Sequence, residues 1–360
     1  ENRESDVVST LQIGIVGCGV IAQQHLKALR DWPLGQAAAV ADVREEIARK
    51  TAAEFKVPKV YNSAEALIKD PDIQVVALPT GIRSELAVKT LKAGKHLLVE
   101  KPVAMNSGEV RQMIAARGSL VAACCSSRHR YLQSASVAAD AIASGVLGEL
   151  RVLRCRSFSS VGKPAQNVPP PWRMSKKLNG GGLLVNWGCY DLDYLLGITG
   201  WRIKPKTILA QTWSYLGQPG FETFAAPGSD AENHYAAFMQ CENGAAITWE
   251  RGETLPQKAE RAWQILGTQG CLHMDMLPGK GNIVIHDQFV AGEGVLSKTL
   301  WEGDENWETV HLGPVRDLSE AIVHKRLPKT TLENALQLQQ ITDAIYRSAE
   351  RGGAVNVEEC

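Results

Sequence analysis

The stretch LQIGIVGCGVIAQQHL at residues 11–26 decides how the fold is read. Leu11–Val16 is apolar almost throughout, as expected of a strand buried on both faces. Gly17-Cys18-Gly19-Val20-Ile21-Ala22 follows as G-x-G-x-x-A, and Ala22, Leu26 and Leu29 then recur on one helical face. A strand, a glycine turn and a helix in that order make a cradle for phosphate. The first glycine allows the tight turn and the second lets a pyrophosphate approach the backbone. The small Ala22 lets helix and strand pack closely, with the helix N-terminus facing the negative charge. The next apolar run, residues 37–40, is closed by Asp42. An acidic side chain there can bind both ribose hydroxyls and repels a 2′-phosphate, which favours NAD over NADP. Arg44, close by, suits a phosphate and pulls the other way. A helix N-cap is the plain alternative for Asp42, but it leaves the rest of the pattern unaccounted for.

Outward from this stretch, strands and helices alternate. Residues 45–55 read as a helix rich in Ala, Glu and Lys, and 73–78 as a strand between Pro71 and Pro79. Residues 84–93 read as a helix stopped by Gly94, and 96–100 as a strand ended by Lys101-Pro102. A helix capped by Ser107 and a strand at 120–125 complete the series. Such alternation implies a doubly wound parallel sheet with helices on both faces. Pro79-Thr80 and Glu100-Lys101 then fall at the carboxyl ends of strands, the edge where ligands bind in open α/β sheets. The expected cofactor contacts are Gly17, Cys18, Gly19, Val20, Ile21, Asp42, Pro79, Thr80, Glu100 and Lys101. Most lysines are solvated surface charges; only its place at this edge singles out Lys101. Pro102 is a good candidate for a cis bond.

Beyond residue 127 the pattern changes, which divides the chain into domains at 10–127 and 128–360. A stretch rich in Pro, Gly and Asn runs from 162 to 182, and alternating strands follow. Tyr235, Ala237, Met239 and Cys241 share one face, Asn243-Gly244 is a hairpin signal, and Ala245, Ile247 and Trp249 continue beyond it. This reads as a domain with an antiparallel sheet. The final helix, 331–351, starts with Thr330 and Glu333 as a capping box and carries the stripe Leu338, Ile341 and Ile345. It is expected to pack back on the first domain. Gly180-Gly181-Gly182 precedes a segment in which, if it is helical, Asn186, Tyr190 and Asp193 lie on one side. A polar stripe in an apolar helix fits a lined cavity; the bland alternative is that Asn186 and Tyr190 satisfy each other in a core.

Composition excludes several classes. Lys+Arg and Asp+Glu are both 39, so the chain lacks the basic surplus of a nucleic-acid binder. No apolar run approaches the length of a membrane helix. ENRESDVVST at the start lacks a cationic segment followed by an apolar one, so no signal peptide is expected. Eight dilute cysteines without Cys-x-x-Cys fit small buried hydrophobes in a reducing cytoplasm. The eight histidines show neither His-x-His nor His-Glu-x-x-His, so no metal site is expected.

Taken together, GIVGCGVIAQQHL, AGKHLLVEKPVAMN and GGGLLVNWGCYDLDYL resemble the glucose–fructose oxidoreductase, inositol dehydrogenase and rhizopine-catabolism (Gfo/Idh/MocA) family over nearly the whole chain. The resemblance implies an N-terminal Rossmann domain and a C-terminal α/β domain with a large, mostly antiparallel open sheet that commonly mediates dimers or tetramers. It implies a sugar, cyclitol or derivative as substrate, oxidised or reduced at a secondary alcohol. Lys101 matches the lysine of the family's EKP element, Trp172 and Arg173 its W-R element, and Arg130 an arginine at the entrance to the second domain. Most members have Asp where Asn186 stands and His where Tyr190 stands; a minority use Tyr at the latter place. The family often has His at the position of Arg83.

The mechanism expected from these residues has Lys101 and Tyr190 as the catalytic pair, with Arg130, Trp172, Arg173, Asn186 and Tyr190 binding substrate. Tyr190 takes the hydroxyl proton as carbon gives hydride to the cofactor. Free tyrosine has a pKa near ~10, so an ammonium is needed to favour the phenolate. Two other classes remain open: a non-catalytic NAD-binding metabolite sensor, and a glycosidase-like enzyme that retains NAD.

Overall fold

The computed structural model describes residues 10–79, 83–162, 170–221 and 224–360. The chain forms two compact units. One comprises the chain up to Ala104 with Gly108–Arg128 and His311–Ala335; the other comprises Met105–Ser107, His129–Val310 and Leu336–Cys360.

The first unit alternates as its sequence requires: β1 (Leu11–Val16), α1 (Val20–Leu29), β2 (Gly35–Ala41), α2 (Glu45–Phe55), β3 (Lys59–Tyr61), α3 (Ala64–Lys69), β4 (Val75–Leu78), α4 (Arg83–Lys92), β5 (His96–Val99), α5 (Ser107–Arg117) and β6 (Ala122–Cys124). All six strands are parallel, in the order β3-β2-β1-β4-β5-β6. This is the doubly wound order, and its switch point lies between β1 and β4. Ile13, Ile15, Val40, Val75, Val76, Leu97 and Leu98 are buried because helices cover both faces. The segment from β3 to α3 carries too short an apolar pattern to read from sequence. Polar pairing holds it instead: Asp70 accepts from Lys59 and Tyr61, each at 2.8 Å, and Ser63 Oγ caps α3 through Ala66 N–H.

In the second unit α6 (Gln133–Ala143) leads into β7 (Leu150–Ser160). After the short helix α7 (Lys176–Asn179) and α8 (Cys189–Ile198) come β8 (Pro205–Trp213), β9 (His234–Cys241), β10 (Ala246–Leu255), β11 (Glu260–Gly267), β12 (Gly270–Met274), β13 (Asn282–Val290) and β14 (Gly294–Gly303). Helices α9 (Trp307–Val323) and α10 (Leu332–Arg351) precede β15 (Val355–Asn356). The sheet has nine strands, in the order β14-β13-β12-β11-β7-β10-β9-β8-β15. Every pairing in it is antiparallel except β7 with β10. Alternation along β9 and β10 buries Tyr235, Met239, Ile247 and Trp249 in a core shared with α8 and with Leu338, Ile341 and Ile345 of α10. The α10 cap falls one residue later than its sequence suggests. Thr331 Oγ1 accepts from Asn334 N–H at 3.2 Å and Asn334 Oδ1 accepts from Thr331 N–H at 3.1 Å. Glu333 pairs with Arg117, 2.7 Å distant. No described helix is long and apolar enough to cross a membrane.

Candidate active site

At the switch point of the first unit, Gly17 has φ +76°, a conformation that a side chain would strain. Gly19, the α1 N-cap, has ordinary negative φ, and a Cβ built on it meets no atom of the described residues within 4 Å. Packing against the described residues therefore does not demand glycine there, and the open space suits an outside group. Asp42, just past β2, is 8% exposed. Its Oδ2 accepts from Cys18 N–H and its Oδ1 from Arg44 N–H, both at 2.9 Å. Burial pushes its carboxyl upward, but these two donors and the Arg44 cation outweigh burial and hold it below the usual carboxylate range. Each oxygen keeps a lone pair for a further donor. Gly17, Asp42, Val43, Ser63, Pro79 and Leu86 line a cavity of about 400 Å³. Val43, 88% exposed beside Asp42, and Val20, 80% exposed on the first turn of α1, leave apolar surface open. A carboxylate for ribose hydroxyls, an apolar wall and a bare helix N-terminus fit a dinucleotide. Thr80 lies outside the described residues.

Glu100 and Lys101, adjacent in sequence, part company in space. Glu100, 3% exposed, takes a bidentate pair from Arg128 and a 2.8 Å bond from His25 Nε2. Its Oε2 also accepts Lys101 N–H at 3.3 Å. Burial opposes its charge, yet Arg128 and His25 prevail and hold the carboxyl well below the ordinary range. The same surroundings push His311 down to about 4, first through burial and then through Arg128. Glu100 therefore carries its charge inside the fold, anchoring the main chain of Lys101, whose own side chain is partly exposed. His25, Glu100 and Cys125 group closely enough to resemble a metal site. Arg128 already neutralises the one carboxylate, and burial holds the Cys125 thiol well above its ordinary value. The Lys101-Pro102 bond is cis. Removing one partner of a buried ion pair costs about 3–5 kcal/mol. Arg128→Met is accordingly expected to lower the thermal midpoint by many degrees; a melt indistinguishable from wild type would show that the pair carries no net stability.

In the second unit, the segment after the three glycines departs from the regular α-helix its sequence suggests: Leu184–Gly188 forms a π-turn that passes into α8. Its start is clamped by a residue no sequence pattern pointed to. Glu232, 4% exposed, accepts from Gly182 N–H at 3.1 Å, Leu184 N–H at 2.9 Å and the Tyr346 hydroxyl at 3.0 Å. Burial raises the carboxyl above its ordinary value despite these donors. A Cβ on Gly181 would collide with the Tyr346 hydroxyl, and one on Gly182 with the Glu232 backbone. The glycine run thus serves close packing at a helix start.

Asn186, 6% exposed, donates through Nδ2 to the carbonyls of Arg173 and Gly182, both at 2.9 Å, while its Oδ1 accepts from Asn179 Nδ2 at 3.3 Å. Arg173 pairs with Glu253 at 3.2 Å, and its neighbour Trp172 is 44% exposed. Tyr190, 8% exposed, packs edge-on against Trp187 and His129, with ring centroids 5.6 Å and 5.0 Å away. His129 Nδ1 lies 3.1 Å from the Met276 carbonyl, so that nitrogen carries the proton. Trp187 is backed by the Arg251 guanidinium at 5.1 Å. Arg251 is held in turn by the fully buried Asp191, which also accepts from the indoles of Trp249 and Trp263. Arg130 bonds Asp193 at 2.6 Å and lies over Trp201, so its guanidinium is largely enclosed. The helix therefore gathers Asn186, Arg173 and Tyr190 in one unit, whereas Asp193 turns to Arg130. Neither Glu232 nor His129 carries a local signature, since their partners lie far away in sequence.

The model of an oxidoreductase family with an NAD-binding Rossmann fold matches residues 11–122, and that of the GFO/IDH/MocA C-terminal domain matches 136–273. Trans-1,2-dihydrobenzene-1,2-diol dehydrogenase of Bos taurus is 32% identical over 205 residues, 56% of this chain and 59% of that protein. The Homo sapiens protein of the same name is 31% identical over 203 residues, 55% and 58% of the two chains. The match thus spans about three-fifths of the length of these curated relatives. An NAD binding oxidoreductase from Klebsiella pneumoniae superposes with a TM-score of 0.84 at 24% identity, covering 97% of this chain and 99% of that one. Levoglucosan dehydrogenase in complex with NADH superposes at 0.81 and 19%, with the same coverage. At these identities the solved structures establish the shared fold.

Proposed function

Because this chain belongs to the Gfo/Idh/MocA oxidoreductase family, we propose that it is an NAD-dependent dehydrogenase or reductase acting on a secondary alcohol or ketone of a sugar, cyclitol or related cyclic diol. The observation that carries this reading is the Asp42 carboxylate, fixed by two backbone donors at the rim of a 400 Å³ cavity beside Gly17. NAD supplies the hydride acceptor when bound. Gly17, Cys18, Gly19, Val20 and Ile21 present backbone to the pyrophosphate, Asp42 takes the ribose hydroxyls, and Pro79 flanks the cavity. Glu100 acts from within the fold, through the main chain of Lys101. Tyr190, of the second unit, is assigned the substrate hydroxyl proton, and Lys101, of the first, the charge of a developing alkoxide. Trp172 and Arg173 bind substrate, and Arg130 stiffens the segment from below through Asp193. Relatives named for a dihydrodiol and for levoglucosan support a cyclic substrate with neighbouring oxygens.

Losing hydrogen bonds from a charged carboxylate costs roughly 1.5–3 kcal/mol each, or about 10–100-fold. Asp42→Ala is therefore expected to weaken NAD by that factor and to narrow the preference over NADP, freeing Arg44 for a phosphate. Titration of both dinucleotides reads this, and unchanged NAD affinity removes Asp42 from the site. Reduction of NAD by a panel of sugars, cyclitols and cyclic diols, followed at the nicotinamide absorbance, tests the activity. Silence across the panel with NAD still bound would favour a metabolite sensor, and release of an aglycone without net reduction a glycosidase-like use of NAD. We also propose a homo-oligomer formed through the second sheet. Leu209, Trp213 and Phe238 are 53%, 41% and 46% exposed there; a monomer on sedimentation would exclude it. Eight cysteines, dilute in 360 residues and without Cys-x-x-Cys, support a reducing, cytoplasmic setting.

A further inference from the structure

We infer that Asn186 is a positioning residue whose amide hydrogens hold the Trp172–Arg173 turn against the substrate-site helix, and that a carboxylate cannot replace it. Besides Asn186, Asp230 N–H and Ala231 N–H reach the turn from outside, donating to the Met174 carbonyl at 3.1 and 3.2 Å. Its own backbone bonds are Arg173 N–H to the Pro170 carbonyl at 3.1 Å and Ser175 N–H to the Trp172 carbonyl at 3.4 Å. Asn186 Nδ2 reaches across to the Arg173 carbonyl at 2.9 Å and donates at the same distance to Gly182. Asn179 Nδ2, 3.3 Å from the same Arg173 carbonyl, completes the clasp and donates to Asn186 Oδ1. Two main-chain carbonyls therefore converge on one side-chain atom of Asn186. Carbonyl oxygens only accept, so that atom must be a donor, which fixes the amide orientation.

The consequence reverses what comparison of residue types alone would conclude. An aspartate with the same shape would set an anionic oxygen against both carbonyls, 94% buried from water in the place Asn186 now fills. It would push the turn away rather than hold it. On the dehydrogenase reading above, on which this step rests, Arg173 binds substrate from that turn. Asn186 then governs binding through the placement of Arg173, whose guanidinium is steadied by Glu253.

Two variants separate the amide's donors from its shape. Asn186→Asp keeps the shape and loses the donors; Asn186→Ser loses volume and keeps one donor. Hydrogen exchange of the amides at 172–179 is expected to accelerate roughly tenfold or more in the Asp variant and less in the Ser variant. With a substrate that wild type converts, KM in the Asp variant should rise about tenfold or more while kcat changes little, and Ser should partly restore it. NAD affinity and the thermal midpoint are followed alongside to confirm a folded protein. Unchanged exchange in the Asp variant overturns the inference whatever KM does. So does faster exchange with unchanged KM, or an Asp variant that equals or exceeds wild type. Faster exchange in a protein whose wild type reduces NAD with no polyol leaves the clasp standing and sinks the dehydrogenase reading instead.

Discussion

Tyr190→Phe is expected to lower turnover about 10²–10⁴-fold, the range for a lost general acid–base group, while the dissociation constant for NAD stays nearly unchanged. Tyr190 belongs to the buried core of the second unit, and its ring is set by edge contacts with Trp187 and His129. Phenylalanine keeps the ring, the contacts and the volume, and removes only the hydroxyl. The thermal midpoint, followed alongside, separates what the hydroxyl contributes to stability from what it contributes to the rate. The cradle for NAD lies in the first unit, around Gly17 and Asp42, so the cofactor titration should not notice the change. Steady-state rates at saturating substrate, set beside that titration, give the answer. A weakened NAD complex would mark Tyr190 as structural, and an intact rate would remove it from proton transfer.

Lys101→Ala is expected to cost about 10²–10³-fold in turnover, the scale of one preorganised group that stabilises a developing oxyanion. The fold gives reason to expect little collateral damage. The main chain of Lys101 is secured by Glu100 Oε2, and Glu100 is secured by Arg128 and His25, so truncating the lysine side chain leaves this anchor whole. Lys101→Arg keeps the cation on a longer, planar head and should recover part of the rate. Full turnover in Lys101→Ala would discard its role altogether.

Much of the first unit was legible because its information is local. The strand, glycine turn and helix from Leu11 to Leu29 state their own geometry within about twenty residues, and Asp42 lies only one strand further on. The short β3 and α3 escaped because three- and six-residue elements show no readable period. They are held by Lys59, Tyr61 and Asp70, polar residues that elsewhere would mark a loop. Alternation gave the strands of the second unit and their buried faces, but not the parallel pairing of β7 with β10, since period two is the same in either direction. Among the candidate site residues, type and order singled out Asn186, Arg173 and Tyr190, of which the fold joins Asn186 to the Arg173 carbonyl. The clamp by Glu232 and the burial of Glu100 were invisible to that reading.

What the chain's sequence determined by itself is therefore the parallel sheet, the dinucleotide cradle and the faces that its strands and helices bury. Tertiary structure alone decided which charge meets which partner. Glu100 finds His25 across 75 residues and Arg128 across 28, and Glu232 finds Gly182 across 50. The reason is physical: hydrophobic periodicity records which side of an element leaves water, a property of neighbours along the chain. A buried carboxylate is stable only beside particular donors, and their arrival there is a property of the whole fold.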